Sequence, residues 1–565
     1  MMELNETTGI QKGLTNYGDP EFSIYIRKAF AKSMGYNDDE LNRPIVGIVN
    51  TFSGFNSCHQ NFSDLIEALK RGILSQGALP IEFPTISLGE IFTSPTTMMF
   101  RNLMAMDTEE MIKAQPMDGV VLLGGCDKTV PAQLMGALSA DKPTICLVAG
   151  PMITGNYQGE KLGACTDCRR FWREYRAGQI DKEQIELINN HLCSSAGTCM
   201  VMGTASTMAA LAEAMGMMLP DGAAIPAVMA ERRRHAEATG RTIVTAIQKD
   251  LRPSRVLSKR SFENAIRVLM AIGGSTNAII HLTAIAKRIG IQLTLADFNR
   301  IGNQTPVLVN LKPSGQYYME DLAQSGGIPT VMKELEESLH RQETTINGKT
   351  IGENLMEVPL PPKWQDVIKT RSNPLLAGEG LTCLFGNLAP NGAIIKRSAA
   401  SPHLLHHQGP ALVFKSIEDL HNRIDQQDLH VTNNHVIVLQ NAGPVGGPGM
   451  PEAGYLPIPK KLLKVGVKDM VRISDARMSG TAFGTIVLHI SPEAAVGGPL
   501  ATVQDGDMIE LNVKNKSIQL LIDDNELRRR IENINLPKPH FQRGYGALYT
   551  NHVEQAHLGC DFDFL

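Results

Sequence analysis

The chain has 565 residues, 43% hydrophobic and 20% charged, the make-up of a folded globular protein too long for one core. Its net charge is −4, from 54 basic against 58 acidic side chains, with no long basic stretch, which argues against a nucleic-acid partner. Met1 to Asn5 show no basic region ahead of an apolar stretch, and no apolar run reaches membrane-spanning length, so a cytoplasmic protein without a membrane partner is expected.

Ile45 to Val49 reads as a buried strand, and Asn50 to Gln60 as the loop after it. Leu65, Leu69 and Ile73 mark one face of the next helix. Pro80 to Ser87 reads as a second strand, ending at Leu88-Gly89-Glu90. The third, Gly119 to Leu123, runs into Gly124-Gly125 and then presents Cys126, Asp127 and Lys128 together. Pro131 suits the first turn of a helix that continues through Leu138. Thr144 to Val148 is the fourth strand, with Cys146 as core packing. Strands alternating with helices predict a parallel sheet with helices on its faces. Such sheets bind ligands at the carboxyl ends of their strands. Cys58, Glu90 and the Cys126-Asp127-Lys128 group are therefore expected to converge.

A polar, proline-containing break from Lys369 to Gly380 separates an α/β domain, residues 1–370, from a second domain, residues 380–565. The second reads as β-rich and barrel-like. Val436 to Leu439 enters a glycine-rich loop, and Met508 to Val513 with Ile518 to Ile522 flank a hairpin turn at Lys514-Asn515-Lys516.

Nine cysteines, odd in number and sparse, fit metal or catalytic use better than a disulfide scaffold. Cys58, Cys126 and Cys199 lie far apart, in polar loop contexts that match no zinc-finger or ferredoxin spacing. They are either unlinked thiols or a shared cluster site. Three thiolates are one short of a closed cluster, which would leave an iron open as a Lewis acid. Cys165-Thr166-Asp167-Cys168 has no second pair and reads as structural or incidental.

Glu90, Asp127 and Glu452 are loop carboxylates, either solvated or oxygen ligands for a hard cation such as magnesium. Lys128 is an ion-pair partner of Asp127 or, in a metal site, an amine that must lose its charge, for example by carbamylation. The glycines from Gly446 to Gly449 form either an amide cradle for an anion or a tight turn, without a P-loop ending. Ser479 precedes a glycine after the Val471–Ile473 strand, with no nucleophile elbow around it. It is either a turn residue or an exposed hydroxyl. Arg477 is a candidate clamp for a substrate carboxylate.

Four stretches together resemble the dihydroxy-acid and phosphogluconate dehydratase family. They are Gly-Gly-Cys-Asp-Lys-x-x-Pro at 124–131, Gly-Gly-Ser-Thr-Asn-Ala at 273–278, Gly-Pro-Gly-Met-Pro-Glu at 447–452 and Ser-Asp-Ala-Arg-Met-Ser-Gly at 474–480. The resemblance implies a two-domain hydro-lyase, a homodimer or homotetramer, acting on a small hydroxy acid. It implies an iron–sulfur cluster, [2Fe-2S] or else [4Fe-4S], on Cys58, Cys126 and Cys199. It further implies Mg2+ among Glu90, Asp127, Glu452 and a carbamylated Lys128, with Ser479 as general base.

Ile86 to Glu90, Tyr318 to Asp321, Thr481-Ala482 and the tail Gly559 to Phe564 look more like the sugar-acid (aldonate) dehydratases. The branched-chain amino-acid enzyme typically reads Thr-Asp-Gly-Arg-Phe-Ser-Gly where this chain has Ala476 and Met478. His59 stands where the family often has Asn. The expected reaction is dehydration of an aldonate to a 2-keto-3-deoxy acid. The alternatives are dehydration of a branched-chain dihydroxy acid and a non-catalytic iron–sulfur protein.

Overall fold

The computed structural model describes residues 8–14 and 17–565. Four strands, β1 (Ile45–Asn50), β2 (Leu79–Pro84), β3 (Gly119–Gly124) and β4 (Thr144–Val148), form one parallel sheet in the order β2-β1-β3-β4. The inner strands β1, β3 and β4 are buried and largely apolar on both faces, as a sheet covered on both sides requires, while the edge strand β2 exposes Glu82. Val46, Ile48, Val121 and Leu123 pack with Phe62, Leu65, Leu69 and Ile243. Ile45, Val49, Val120 and Leu122 join the opposite core with Ile112, Leu134 and Met208.

The predicted helix carrying Leu65, Leu69 and Ile73 spans Phe62–Ser75 and lies against the helix Ala230–Gln248. A Cβ at Gly72 would stand 2.1 Å from the Glu237 carbonyl oxygen, and one at Gly240 2.4 Å from that of Leu69. The two helices therefore touch backbone to backbone. The register sets Asn50 beside both Pro84 and Leu123, so three strand ends finish abreast and their loops leave side by side.

Most strand boundaries shift by one or two residues from the sequence reading, and that of β2 shifts furthest. β2 stops at Pro84, not Ser87. Beyond it the backbone leaves the ladder, because the Ile86 N–H donates to Asp107 Oδ2 at 2.8 Å and Ser87 Oγ to the Thr51 carbonyl at 2.6 Å.

A short hairpin, β5 (Gly155–Tyr157) and β6 (Glu160–Leu162), precedes a largely helical stretch. The remaining strands are β7 (Thr382–Gly386), β8 (Ala389–Ile395), β9 (His406–Phe414), β10 (Val436–Leu439), β11 (Arg472–Ser474), β12 (Ile486–Ser491), β13 (Met508–Asn512) and β14 (Ser517–Leu520). They close into a mixed barrel in the order β10-β11-β12-β8-β7-β14-β13-β9. The expected hairpin is β13 with β14, antiparallel from Ile509–Leu520 to Asn512–Ser517. Alternate residues fill the barrel: Val413, Val436, Val438, Ile473 and Val487 share one core, while Phe414, Ile437 and Leu439 pack outside with Leu420 and Ile424.

The C-terminal tail fastens the barrel to the α/β half. Asp561 pairs with Arg288, Nε to Oδ2 at 2.6 Å, with both side chains buried. Arg101 Nη2 donates to the carbonyls of Gly559 and Cys560, each at 2.9 Å. Among the described residues no helix is long and apolar enough to cross a membrane.

Candidate active site

The loops after β1, β2 and β3 meet loops of the barrel around one cavity. Cys58, Glu90, Cys126 and Asp127 line it from the sheet, Cys199 from a later loop, and Glu452 and Ser479 from the barrel. Cys199 is held there because Thr198 lies along the strand-like segment after β4, its N–H donating to the Gly150 carbonyl at 2.9 Å.

Gly125 makes the turn before Cys126 possible. A Cβ there would come within 2.9 Å of both Ala149 Cβ and His59 Cδ2. His59 is buried, and its Nε2 accepts the Cys126 N–H at 3.0 Å. Its Nδ1 lies 2.8 Å from the Thr51 carbonyl, so Nδ1 carries the proton. Burial lowers its pKa to about 4, which keeps the ring neutral.

Lys128 is fully buried, with Nζ 3.2 Å from Glu90 Oε2 and 3.7 Å from Asp127 Oδ2. Arg477, also fully buried, bridges Glu90 (2.9 Å) and Glu452 (2.5 Å) and donates to Thr96 Oγ1 at 2.7 Å. Its fork is spent on the protein's own carboxylates. Burial raises the Glu90 carboxyl, but Lys128 and Arg477 outweigh it and hold the group well below the usual carboxylate range. Asp127 and Glu452 go the other way: burial pushes both upward. Three carboxylates thus face two cations in a desolvated cavity, and two of the three remain under-compensated.

The thiols are similarly placed. Cys58 is raised well above the thiol range by the neighbouring Cys126 thiol and by burial, and Cys199 by its hydrogen bond with Cys165 and by burial. Among the described residues no three His, Cys, Asp or Glu side chains close around one point. The donors stand on the walls of the cavity instead.

Ser479 is nearly buried, with Oγ 2.8 Å from Thr481 Oγ1. Gly480 lets this loop in: a Cβ there would meet Ser275 Oγ at 2.7 Å and the Thr204 N at 2.8 Å. The glycine-rich loop ahead of Glu452 cradles a carboxylate of the chain itself. The Val445 and Gly446 amides donate to Glu493, at 2.9 Å to Oε1 and Oε2 respectively.

Among the lining residues the sequence reading assigned no site role to Arg169 or Thr481, and it read Cys165 as structural or incidental. Cys165 is the substantive correction, since it stands in the cavity with Sγ 3.1 Å from Cys199 Sγ. Cys168 does accept the Cys165 N–H at 3.2 Å, a local structural use. Arg169 lies over the Tyr455 ring at 4.9 Å, and its buried Nε has no hydrogen-bond partner. The signal that could have found it is a helix with Arg169, Arg170, Arg173 and Arg176 directly behind a cysteine turn.

Residues 43–354 match the N-terminal domain of the dihydroxy-acid/6-phosphogluconate dehydratases, and residues 366–560 match the C-terminal domain. The chain belongs to this dehydratase family. It is a hydro-lyase. The chain is 47% identical over 557 residues to the L-arabinonate dehydratase of Rhizobium leguminosarum bv. trifolii, covering 97% of this chain and 95% of that one. It is 47% identical over 532 residues to the 6-deoxy-6-sulfo-D-gluconate dehydratase of Pseudomonas putida, covering 94% and 91%. Identity to the dihydroxy-acid dehydratase of Caldicellulosiruptor bescii is 39% over 543 residues, covering 94% and 97%. These two sugar-acid dehydratases are thus more similar to this chain than that dihydroxy-acid dehydratase is.

Proposed function

We propose that this dehydratase converts an aldonate, a 2,3-dihydroxy carboxylate, to the 2-keto-3-deoxy acid with the aid of an iron–sulfur cluster and Mg2+. The observation that carries the reading is one cavity in which four thiols, three carboxylates and the Ser479 hydroxyl meet from separate loops.

The donor chemistry fits both groups. Soft thiolates suit iron and hard carboxylates suit magnesium. Cys58, Cys126 and Cys199 would hold the cluster. Glu90, Asp127, Glu452 and a carbamylated Lys128 would hold the cation. Carbamylation would turn a buried ammonium into a fourth anion beside Glu90 and Asp127, a charge that a divalent cation would offset. When bound, the two groups supply Lewis acidity toward the leaving hydroxyl and toward the carboxylate and C2 hydroxyl.

Ser479, as an alkoxide to which the Thr481 hydroxyl at 2.8 Å donates, takes the proton from C2 and becomes the hydroxyl. The C3 hydroxyl departs with the electron pair of its bond to carbon and takes that proton from Ser479 to leave as water, which restores the alkoxide. The resulting enol becomes the ketone by moving a proton to C3. One water is lost and no electrons are transferred. Arg477 holds Glu90 and Glu452 apart at fixed distance, so the carboxylate array stays open toward substrate. Arg169 lines the cavity and, unlike Lys128 and Arg477, has no ion pair among the described residues, and it draws the substrate's carboxylate inward.

Asn56, Ser57, Thr481 and Arg169 offer hydrogen bonds to distal hydroxyls, beside an apolar side of Phe55, Ile91 and Phe92. The aldonate reading therefore rests on the greater identity to the two sugar-acid dehydratases. The test is 2-keto acid formation by anaerobically purified, magnesium-supplied protein on pentonates, hexonates and 2,3-dihydroxyisovalerate. Faster turnover of an aldonate is expected. Preference for dihydroxyisovalerate would refute the substrate assignment, and inactivity on every acid by a cluster-loaded protein would refute the reaction.

A further inference from the structure

We propose that Cys165 is the redox partner of Cys199: in the cluster-free chain a peroxide joins the two as a reversible disulfide, which withholds Cys199 from iron until a dithiol reductant opens it. The effect on loading rests on the iron–sulfur reading above; the disulfide itself does not. Cys165 Sγ lies 3.1 Å from Cys199 Sγ, and a disulfide needs about 2.05 Å, so the gap to close is only about 1 Å. Neither thiol is fully buried. Cys165 lines both the cavity and an outer groove that runs past the exposed Trp172 ring, so a small oxidant reaches it from solvent.

The dehydration gives Cys165 no task, yet its position is built. Its φ is +73°, a conformation that residues with a Cβ rarely adopt. The residues that follow hold it there. Thr166 Oγ1 donates to the Thr481 carbonyl at 3.0 Å. Asp167 is buried, accepts the Gly163 N–H at 2.8 Å and pairs with Lys312 Nζ at 3.0 Å. The opposite segment is equally fixed. The Thr198 N–H donates to the Gly150 carbonyl at 2.9 Å, and the Met152 N–H to the Thr198 carbonyl at 2.8 Å. Two anchored backbones thus hold the thiols face to face. Cys168 does not compete, because its Sγ accepts the Cys165 N–H at 3.2 Å.

The chemistry needs one molecule of hydrogen peroxide. The Cys165 sulfur attacks it: an S–O bond forms, the O–O bond breaks, and the departing hydroxide is protonated to water. The Cys199 sulfur then attacks the Cys165 sulfenic acid. The S–S bond forms, the S–O bond breaks, and the oxygen leaves as a second water with the Cys199 proton. Two thiols lose two electrons, and the peroxide gains them. Without Cys165, an oxidised Cys199 has no resolving thiol at hand and proceeds to the sulfinic acid, which a dithiol does not reverse.

The experiment uses the full chain, freed of metal by chelation under reducing conditions and then treated with hydrogen peroxide. Unreacted thiols are blocked, the unreduced peptides are sequenced by mass spectrometry, and iron and sulfide uptake is measured before and after dithiothreitol. Wild type is compared with Cys165→Ser, Cys165→Gly and the controls Cys168→Ser and Cys193→Ser. Glycine accepts the +73° backbone, so Cys165→Gly removes the thiol while easing the turn. Wild type and both controls should give the Cys165–Cys199 link. They should take up several-fold less iron while oxidised and recover with dithiothreitol. Both Cys165 variants should lack the link, carry sulfinic acid at Cys199 and fail to recover. Absence of the link in wild type, or a link from Cys165 to Cys168 or Cys193 instead, would overturn the proposal. A fully reduced wild type that takes up no iron and sulfide would overturn the cluster reading, and with it the effect on loading, while the peptides still decide the disulfide.

Discussion

The backbone N–H of Cys126 donates to Nε2 of His59 at 3.0 Å, and the same ring, through Nδ1, reaches the Thr51 carbonyl at 2.8 Å. One neutral imidazole thus joins the β1 loop to the turn that presents Cys126. It also stacks on Phe62 at 4.3 Å. Replacing His59 with Ala strands a buried N–H, a loss of about 1–3 kcal/mol. The variant should unfold at lower denaturant and hold several-fold less iron per chain. His59→Asn, with a shorter side chain of the type the family often carries, should recover part of both. Full iron content and unchanged stability in His59→Ala would remove His59 from this role.

Ser479 and Thr481 should separate kinetically. Ser479→Ala should lower kcat by about 10²–10⁴, the usual worth of a general base, with KM and the visible spectrum unchanged. Thr481→Val removes only the hydroxyl 2.8 Å from Ser479 Oγ and should lower kcat about tenfold. Activity surviving Ser479→Ala would end its assignment as the base.

Among the described residues Arg169 has no ion-pair partner to release when substrate binds. Arg169→Met keeps much of the packing against Tyr455 and removes the charge. KM for an aldonate should rise about tenfold, equal to about 1.4 kcal/mol, while kcat changes little. A fall confined to kcat would place Arg169 in the chemical step instead.

Folding stability should carry a pH signature remote from the cavity. Glu213 accepts the Asp221 and Ala223 N–H groups at 2.9 and 2.8 Å, and burial raises its pKa to about 8. A carboxyl raised in the folded state favours the protonated chain. Its contribution is full below about pH 4.5 and is lost as pH rises to about 8. Wild type should therefore lose more Tm across that window than Glu213→Gln. Parallel Tm curves for the two proteins would exclude Glu213 as the source.

The strands were legible because β1, β3 and β4 are unbroken apolar runs, and the loops after them because glycine or polar residues cut each run short. Convergence of Cys58, Glu90 and Cys126 followed from parallel topology. Cys165 was not legible. Its C-x-x-C context suggests a partner three residues on, whereas the +73° backbone sends the two thiols to different surroundings. The role of the glycine-rich loop was equally hidden, since its anion, Glu493, lies 47 residues beyond Gly446. Side-chain partners across such separations are set by how the barrel closes, and no local spacing encodes that.

Arg477 ties Glu90 of the α/β half to Glu452 of the barrel, so the cavity is finished only by the last third of the chain. A ribosome adding roughly 5–20 residues per second takes on the order of tens of seconds to travel from Cys126 to Glu452. Throughout that interval the cysteines of the first half exist without the wall that will enclose them. Translation itself thus opens a period in which a cluster could be loaded from outside, and closing of the barrel ends it.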